Sequence, residues 1–160
     1  MSHDTIKEFF ITMGGAMKAK IHRSDGTVEG PWECKNQATS AGLNAVAAMM
    51  IVVSGTPYVN VAVGSGTAAG SLGSTALINE VLRKAGATQT TSRSNIILTT
   101  TWGGAADSIT SIALEEAGIF NSASSGAGTM LNKVTGVNAT LADSDILNLE
   151  MTFRVGSHGL

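Results

Sequence analysis

The chain has 160 residues, 14% of them charged, and a formal net charge of −2 at pH 7. This length can bury a core without metal or disulfide support, and the single Cys34 cannot form an intramolecular disulfide. The few, scattered Lys and Arg residues exclude a basic stripe for nucleic acid. The longest apolar run, 45–53, is shorter than the ~20 residues of a bilayer span. Since no signal-peptide pattern opens the sequence, we expect a soluble protein made in a reducing cytoplasm.

The N-terminal segment 1–11 is polar at first and ends in Phe9, Phe10 and Ile11. It predicts either an N-terminal arm or the first strand of the fold. The remaining residues, 12–160, are predicted to form a single β-sandwich domain.

Two alternating runs, 16–23 and 28–35, flank Asp25-Gly26. An Asp-Gly pair in this position predicts a β-hairpin, because both residues tolerate a positive φ. Pro31 restricts the returning strand to a sheet edge or a bulge, since proline has no N–H to donate.

One helix is predicted, over about 40–53, with Thr39 or Ser40 as its N-cap. Its apolar stripe has helical spacing and consists of Leu43, Val46, Ala47 and Met50. The other faces are also apolar, which predicts a buried helix covered on most sides by a sheet and by a second surface or a neighbouring subunit.

The rest of the chain is predicted to be strands and turns, except 75–85, which fits helix and strand equally. The predicted strands are 58–63, two strands within 87–102 that join near 92–95, 109–114 with a continuation at 119–120, 129–134 and 145–155. In the last strand the residues Leu147, Leu149, Met151, Phe153 and Val155 alternate with Asn148, Glu150, Thr152 and Arg154. Many short strands and one helix predict a mainly β fold, an antiparallel β-sandwich or jelly roll.

The candidate motifs for nucleotide and metal binding do not have the residue spacing that such sites require. The glycine-rich segment 64–70 follows a strand, but its third Gly comes one residue late for a dinucleotide site and no Lys follows for a P-loop. His3, His22 and His158 have no metal-ligand spacing. These motifs predict no metal, no cofactor and no catalytic residue, and hence a protein that is not an enzyme.

Two acidic pairs receive structural interpretations. Asp143 and Asp145 are expected to end a turn before the final strand. Glu115 and Glu116 are neighbours on a strand and point to opposite faces, so they cannot share a substrate. One of them is expected to make an ion pair or to cap a backbone turn.

Several segments in succession carry a family resemblance. They are segment 36–44 (NQATSAGLN) at the start of the apolar helix, Val61-Ala62-Val63-Gly64-Ser65-Gly66-Thr67, Thr75-Ala76-Leu77, Glu80-Val81-Leu82-Arg83, Glu116-Ala117-Gly118-Ile119-Phe120-Asn121 and Gly128-Thr129-Met130-Leu131. This succession resembles a family of small tailed-bacteriophage virion proteins, regarded as capsid decoration or tail-fibre-like proteins. The similarity covers about 36–155, and segment 1–11 has no counterpart.

The resemblance implies a β-sandwich or jelly roll present in many copies in a virion assembled in the host cytoplasm. We therefore expect a capsid decoration protein that forms a homo-oligomer, a trimer, on the major capsid protein and stabilises the shell. The alternative is a tail-fibre or neck protein that binds a host surface. The candidate partner interface is Phe9, Phe10 and Ile11. No nucleic-acid or membrane partner is expected.

Overall fold

The computed structural model describes residues 9–51, 55–85, 88–92, 95–107, 109 and 111–159. It is mainly β, with 57% of residues in strands and one short helix. The strands are β1 Phe9–His22, β2 Val28–Ala38, β3 Asn60–Gly64, β4 Glu80–Lys84, β5 Thr88–Ser92, β6 Asn95–Gly103, β7 Ile112–Phe120, β8 Met130–Leu141 and β9 Ile146–Gly159. The helix is α1 Ser40–Ile51, and a 3-10 turn spans Gly104–Asp107.

All strand pairs are antiparallel, and they form one sheet in the order β4-β3-β7-β8-β2-β1-β9-β6-β5. The sheet curls into a half-barrel. The prediction of a mainly β, antiparallel fold is confirmed, whereas the finer prediction of a sandwich or jelly roll is not.

The β1–β2 hairpin forms where Asp25-Gly26 predicts it. Gly26 has φ +86°, and the Asp25 carboxylate accepts a 2.9 Å hydrogen bond from the N–H of Thr27. The register shifts between Ala19 and Ile21 of β1, opposite the segment that contains Pro31. The predicted bulge near this proline is therefore present.

The two arms of the sheet diverge at β2. This strand pairs with β1 along most of its length but with β8 only through Gln37 and Ala38. Because the pairing to β8 is so short, the arm β1-β9-β6-β5 can turn its inner face toward the arm β8-β7-β3-β4. One apolar core lies between them, and it includes Met17, Val61, Trp102, Ile119 and Leu149.

The final strand alternates as predicted. Leu147, Leu149, Met151 and Phe153 are buried, whereas Asn148, Glu150 and Thr152 are half-buried. The strand is also longer than expected, because it pairs with the full length of β1.

Two other strand predictions are revised, one ambiguous segment is assigned, and one further prediction is confirmed. In place of a strand at 109–114 with a continuation at 119–120, a single strand, β7, runs from Ile112 to Phe120. The strand predicted at 129–134 is longer than expected, because β8 continues to Leu141. The ambiguous segment 75–85 contains the edge strand β4. The two strands within 87–102 are present as β5 and β6.

Helix α1 begins where it was predicted, with Thr39 as its N-cap. The Thr39 hydroxyl accepts a 3.0 Å hydrogen bond from the N–H of Gly42. Gly42 lies against the backbone of β8, where an added Cβ would come 2.6 Å from the Cα of Leu131. The first turn of the helix can pack this closely only because residue 42 has no side chain.

Within the described chain, α1 is less buried than predicted, and its cover by a neighbouring subunit stays a prediction. Among residues 40–48, only Gly42 is buried, and Asn44, Ala47 and Ala48 are exposed. The helix rests on β8 at its first turn, and no second layer of this chain covers its outer side within the described residues. Val46 does pack against the core.

Candidate functional site

An apolar cavity of about 380 Å³ opens between α1 and the two arms of the half-barrel. Its lining includes Val46 of α1, Tyr58 before β3, Ile96 and Leu98 of β6, and Phe153 of β9. We call this cavity the mouth. The lining described contains no charged side chain and is mostly apolar, so the mouth can accept an apolar group.

Ile96 shows that the core is open at the mouth. Ile96 lies two residues before the buried Leu98, so both side chains are on the same face of β6, the one toward the core. Its side chain is nevertheless 39% exposed. The apolar surface of the core thus continues to the solvent at this end.

Lys84 of β4 links the two arms of the sheet through its contacts with β6 and Asp107. Among the described residues, the pairing of β5 with β6 extends as far as Thr99. The Lys84 ammonium donates a 2.7 Å hydrogen bond to the carbonyl of Thr101. It also forms an ion pair with the Asp107 carboxylate at 3.1 Å. Burial raises the pKa of the Asp107 carboxyl, but the Gly103 N–H and Lys84 outweigh this and lower it.

A glycine loop, residues 64–79, covers the outer face of β3, β7 and β8. Beneath it lies a second small core made of Ala62, Leu77, Phe120 and Met130. The loop is held by Glu116, which is 0% exposed. The loop therefore acts as a cover for the sheet.

Glu116 accepts four hydrogen bonds with its two carboxylate oxygens. Oε1 accepts from the N–H groups of Gly66 at 3.1 Å and Asn79 at 2.8 Å. Oε2 accepts from the N–H of Ile78 at 3.0 Å and from the Lys133 ammonium at 2.8 Å. Burial raises the pKa of Glu116, and these hydrogen bonds more than offset it, so the pKa lies below its ordinary value.

The glycines of the loop allow this approach. A Cβ on Gly66 would meet Glu116 Oε1 at 2.5 Å and would clash with the Cβ of Ile78. The expectation that one of the two glutamates makes an ion pair or caps a backbone turn is confirmed for Glu116, which pairs with Lys133 and holds the loop backbone.

Two other charged clusters also hold loops. Arg23 pairs with Asp145 and with Glu29, each at 2.5 Å, and Asp145 also accepts a hydrogen bond from the N–H of Ala142. This confirms that Asp145 ends the turn before β9. Arg83 makes a bidentate contact with Glu80.

Arg83 also fastens the loop that follows β7. Its guanidinium donates to the carbonyls of Ser122 and Ala127 and lies 3.8 Å from the centroid of the Phe120 ring. The contacts of Arg83 are therefore structural.

The predicted interface residues Phe9, Phe10 and Ile11 lie in β1, where their backbones pair with Gly159, His158 and Ser157 of β9. Pairing of β1 with β2 starts only at Gly15, and pairing of β9 with β6 only at Arg154. Residues 9–13 and 155–159 thus form a two-stranded extension, which we call the terminal ribbon. Residues 1–8 lie outside the described part of the chain.

In the part of the chain that the structure describes, no three His, Cys, Asp or Glu side chains lie together as a metal site. No described helix is long and apolar enough to cross a membrane. Comparison with known proteins finds no matching family model, no matching curated protein and no matching solved structure.

Sequence reasoning missed the mouth. Its lining comes from α1, the segment before β3 and several strands, which are distant in sequence and meet only in the folded sheet. A signal did exist in the uniformly apolar helix, which predicts more covered surface than the folded chain provides.

Proposed function

We propose that the chain is a structural protein of a bacteriophage virion, a capsid decoration protein that forms a homo-oligomer, a trimer, on the major capsid protein. The resemblance carried by the Gly-Ser-Gly-Thr and Glu-Ala-Gly-Ile-Phe-Asn segments supports this function. In this proposal the curled sheet belongs to the sandwich or jelly-roll class, and the protein resides in the virion after assembly in the host cytoplasm.

The observation that carries the proposal is the apolar surface around the mouth. Ile96 faces the core side yet is 39% exposed, and the described part of α1 offers exposed alanines and no charged side chain. Burial of apolar surface stabilises an association by roughly 25 cal/mol per Å² before the costs of binding. A protein with few charges and an uncovered apolar mouth is suited to packing against copies and neighbours, since interface centres are depleted in charge.

Such a protein needs no chemistry to stabilise a shell. A protein that binds only the assembled lattice lowers the free energy of that state by mass action. The charged clusters of Glu116, Arg23 and Arg83 fit this role, because their contacts fix loops of the chain itself.

The test compares virions with and without the protein. Particles that lack it should lose their DNA at a lower temperature than complete particles, and adding back purified protein should restore the difference. Quantitative mass spectrometry of complete particles should find hundreds of copies per virion. Unchanged heat stability of depleted particles would refute the decoration function.

A tail-fibre or neck protein is the alternative, and one surface favours it. A polar groove of about 380 Å³ on the outer face is lined by Lys18, Lys20, Thr99, Asn148 and Glu150, among others. Hydroxyl, amide and charged groups side by side suit a hydrated host-surface ligand. A few copies per particle, found in purified tails, would support this alternative over decoration.

A further inference from the structure

The terminal ribbon leaves two strand edges without partners in the described chain. Along residues 9–13, β1 pairs with β9 only, and along residues 155–159, β9 pairs with β1 only. An isolated two-stranded ribbon is at best marginally stable in water, and three or more strands are needed for independent stability. The ribbon is anchored by the rest of β1 and β9, but a third strand on either edge would stabilise it further.

Its composition lacks the usual protection of an edge. Proteins block exposed strand edges with charged residues, prolines or bulges. The ribbon sequences Phe9-Phe10-Ile11-Thr12-Met13 and Val155-Gly156-Ser157-His158-Gly159 contain no Asp, Glu, Lys, Arg or Pro. The register between them also runs without a shift.

Other strand edges of the sheet differ from the ribbon. The outer strand β4 carries Glu80, Arg83 and Lys84, and the free stretch of β2 carries Glu29, Glu33 and Pro31. The outer strand β5 is polar, with the sequence TQTTS. Unlike these edges, the ribbon combines an apolar stretch, residues 9–13, with the absence of Asp, Glu, Lys, Arg and Pro.

We propose that terminal ribbons of different copies pair edge to edge, with the β1 edge of one copy against the β9 edge of the next. This inference rests on the proposed homo-oligomer and names the surface that forms it. The occupant is a second copy because one ribbon supplies both complementary edges. Pairing two β1 edges across a two-fold axis would leave both β9 edges open, whereas head-to-tail pairing satisfies both edges of every copy.

The strand directions permit a closed ring. Within each ribbon β1 and β9 are antiparallel. When copies are related by rotation about an axis along the strands, each β1 again lies antiparallel to the neighbouring β9. Three copies then close a small antiparallel barrel without a free edge, which agrees with the proposed trimer.

Cysteine crosslinking tests the pairing. In a Cys34→Ser background, single-cysteine chains Thr12→Cys and His158→Cys, two positions that the β1–β9 register places on one face of the ribbon, are co-expressed with different tags and oxidised. Neither chain has an intramolecular partner cysteine. We expect mixed disulfide dimers of the two chains, well above the level from the exposed control position Thr140→Cys paired with His158→Cys.

Two results would overturn the inference. One is mixed dimers no more abundant than in the Thr140→Cys control, also when the second cysteine is moved to position 156, on the same face. The other is a predominance of Thr12→Cys dimers with themselves, which would mean two-fold pairing of β1 edges.

Oligomer mass provides a second measurement. The Thr12→Lys, Ser157→Lys double variant places like charges beside the ribbon edges and should lose the oligomer in analytical ultracentrifugation, while Thr140→Lys should retain it. Circular dichroism confirms that both variants are folded. An unchanged oligomer in the double variant would overturn the ribbon inference alone, because the virion function is tested separately by particle composition and heat stability.

Discussion

The Glu116 carboxylate and the Lys133 ammonium lie 2.8 Å apart beneath the glycine loop, with side-chain exposures of 0% and 1%. An ion pair this deeply buried gains little net stability by itself, because both groups lose their hydration. Here the carboxylate also accepts three backbone N–H groups from the loop. The pair therefore joins the cover of the sheet to β7 and β8.

Removing the charge of Glu116 should be strongly destabilising. The Glu116→Gln variant leaves the Lys133 ammonium buried without its counter-ion, and we expect a loss of about 3–5 kcal/mol in the free energy of unfolding. Glu115→Gln, one residue away and half-buried, should change it by less than about 0.5 kcal/mol. Urea unfolding of the two variants measures the difference. Equal midpoints would contradict the structural role of Glu116.

The stability should decrease in acid. The pKa of Glu116 is lowered in the folded protein, and so is that of Asp145, which accepts hydrogen bonds from Ala142 and Arg23 despite its burial. A lowered folded pKa contributes stability that is complete above the unfolded pKa of about 4 and is lost as the pH falls through the folded value. The free energy of unfolding, measured from pH 7 to pH 3, should fall below about pH 5. Glu116→Gln should lose less of its stability over this range than the native chain.

Local sequence patterns predict those elements that are held by contacts between residues close together in the sequence. The Asp25-Gly26 hairpin, the Thr39 cap and the alternation of β9 each depend on adjacent or regularly spaced residues. Strand β7 was predicted in two pieces because Glu115-Glu116 interrupts its apolar pattern. Its middle is buried nonetheless, since Lys133 and the loop satisfy the carboxylate.

The glycine loop and Glu116 were both identified in the sequence, but their contact was not. They are separated by 50 residues between Gly66 and Glu116, and only the order β3-β7-β8 brings them together. For the same reason 75–85 could not be assigned: Ile78 and Asn79 are fixed by Glu116, and β4 by its pairing with β3. Such long-range contacts leave no periodic signal in the local sequence.

The glycine at position 66 should be irreplaceable by alanine. A Cβ there would come 2.5 Å from Glu116 Oε1 and would clash with Ile78, so the loop would have to lift from the sheet. We expect Gly66→Ala to lower the free energy of unfolding by about 1–3 kcal/mol. Gly73→Ala is the matched control in the same loop, since its nearest neighbour would be Ser71 Oγ at 3.9 Å. Comparable unfolding curves for the two variants would disprove the close contact.

Phe153 should contribute strongly to stability from β9. Its side chain is 1% exposed, belongs to the main core and lines the mouth. Phe153→Ala removes the ring and leaves a space continuous with the existing cavity, so we expect a loss of about 3–5 kcal/mol in the free energy of unfolding. The neighbouring Thr152→Ala, on the opposite face of the strand, should cost far less. Denaturant unfolding of the isolated chain measures both changes, and a loss below about 1 kcal/mol for Phe153→Ala would mean that this face of β9 is not part of the core.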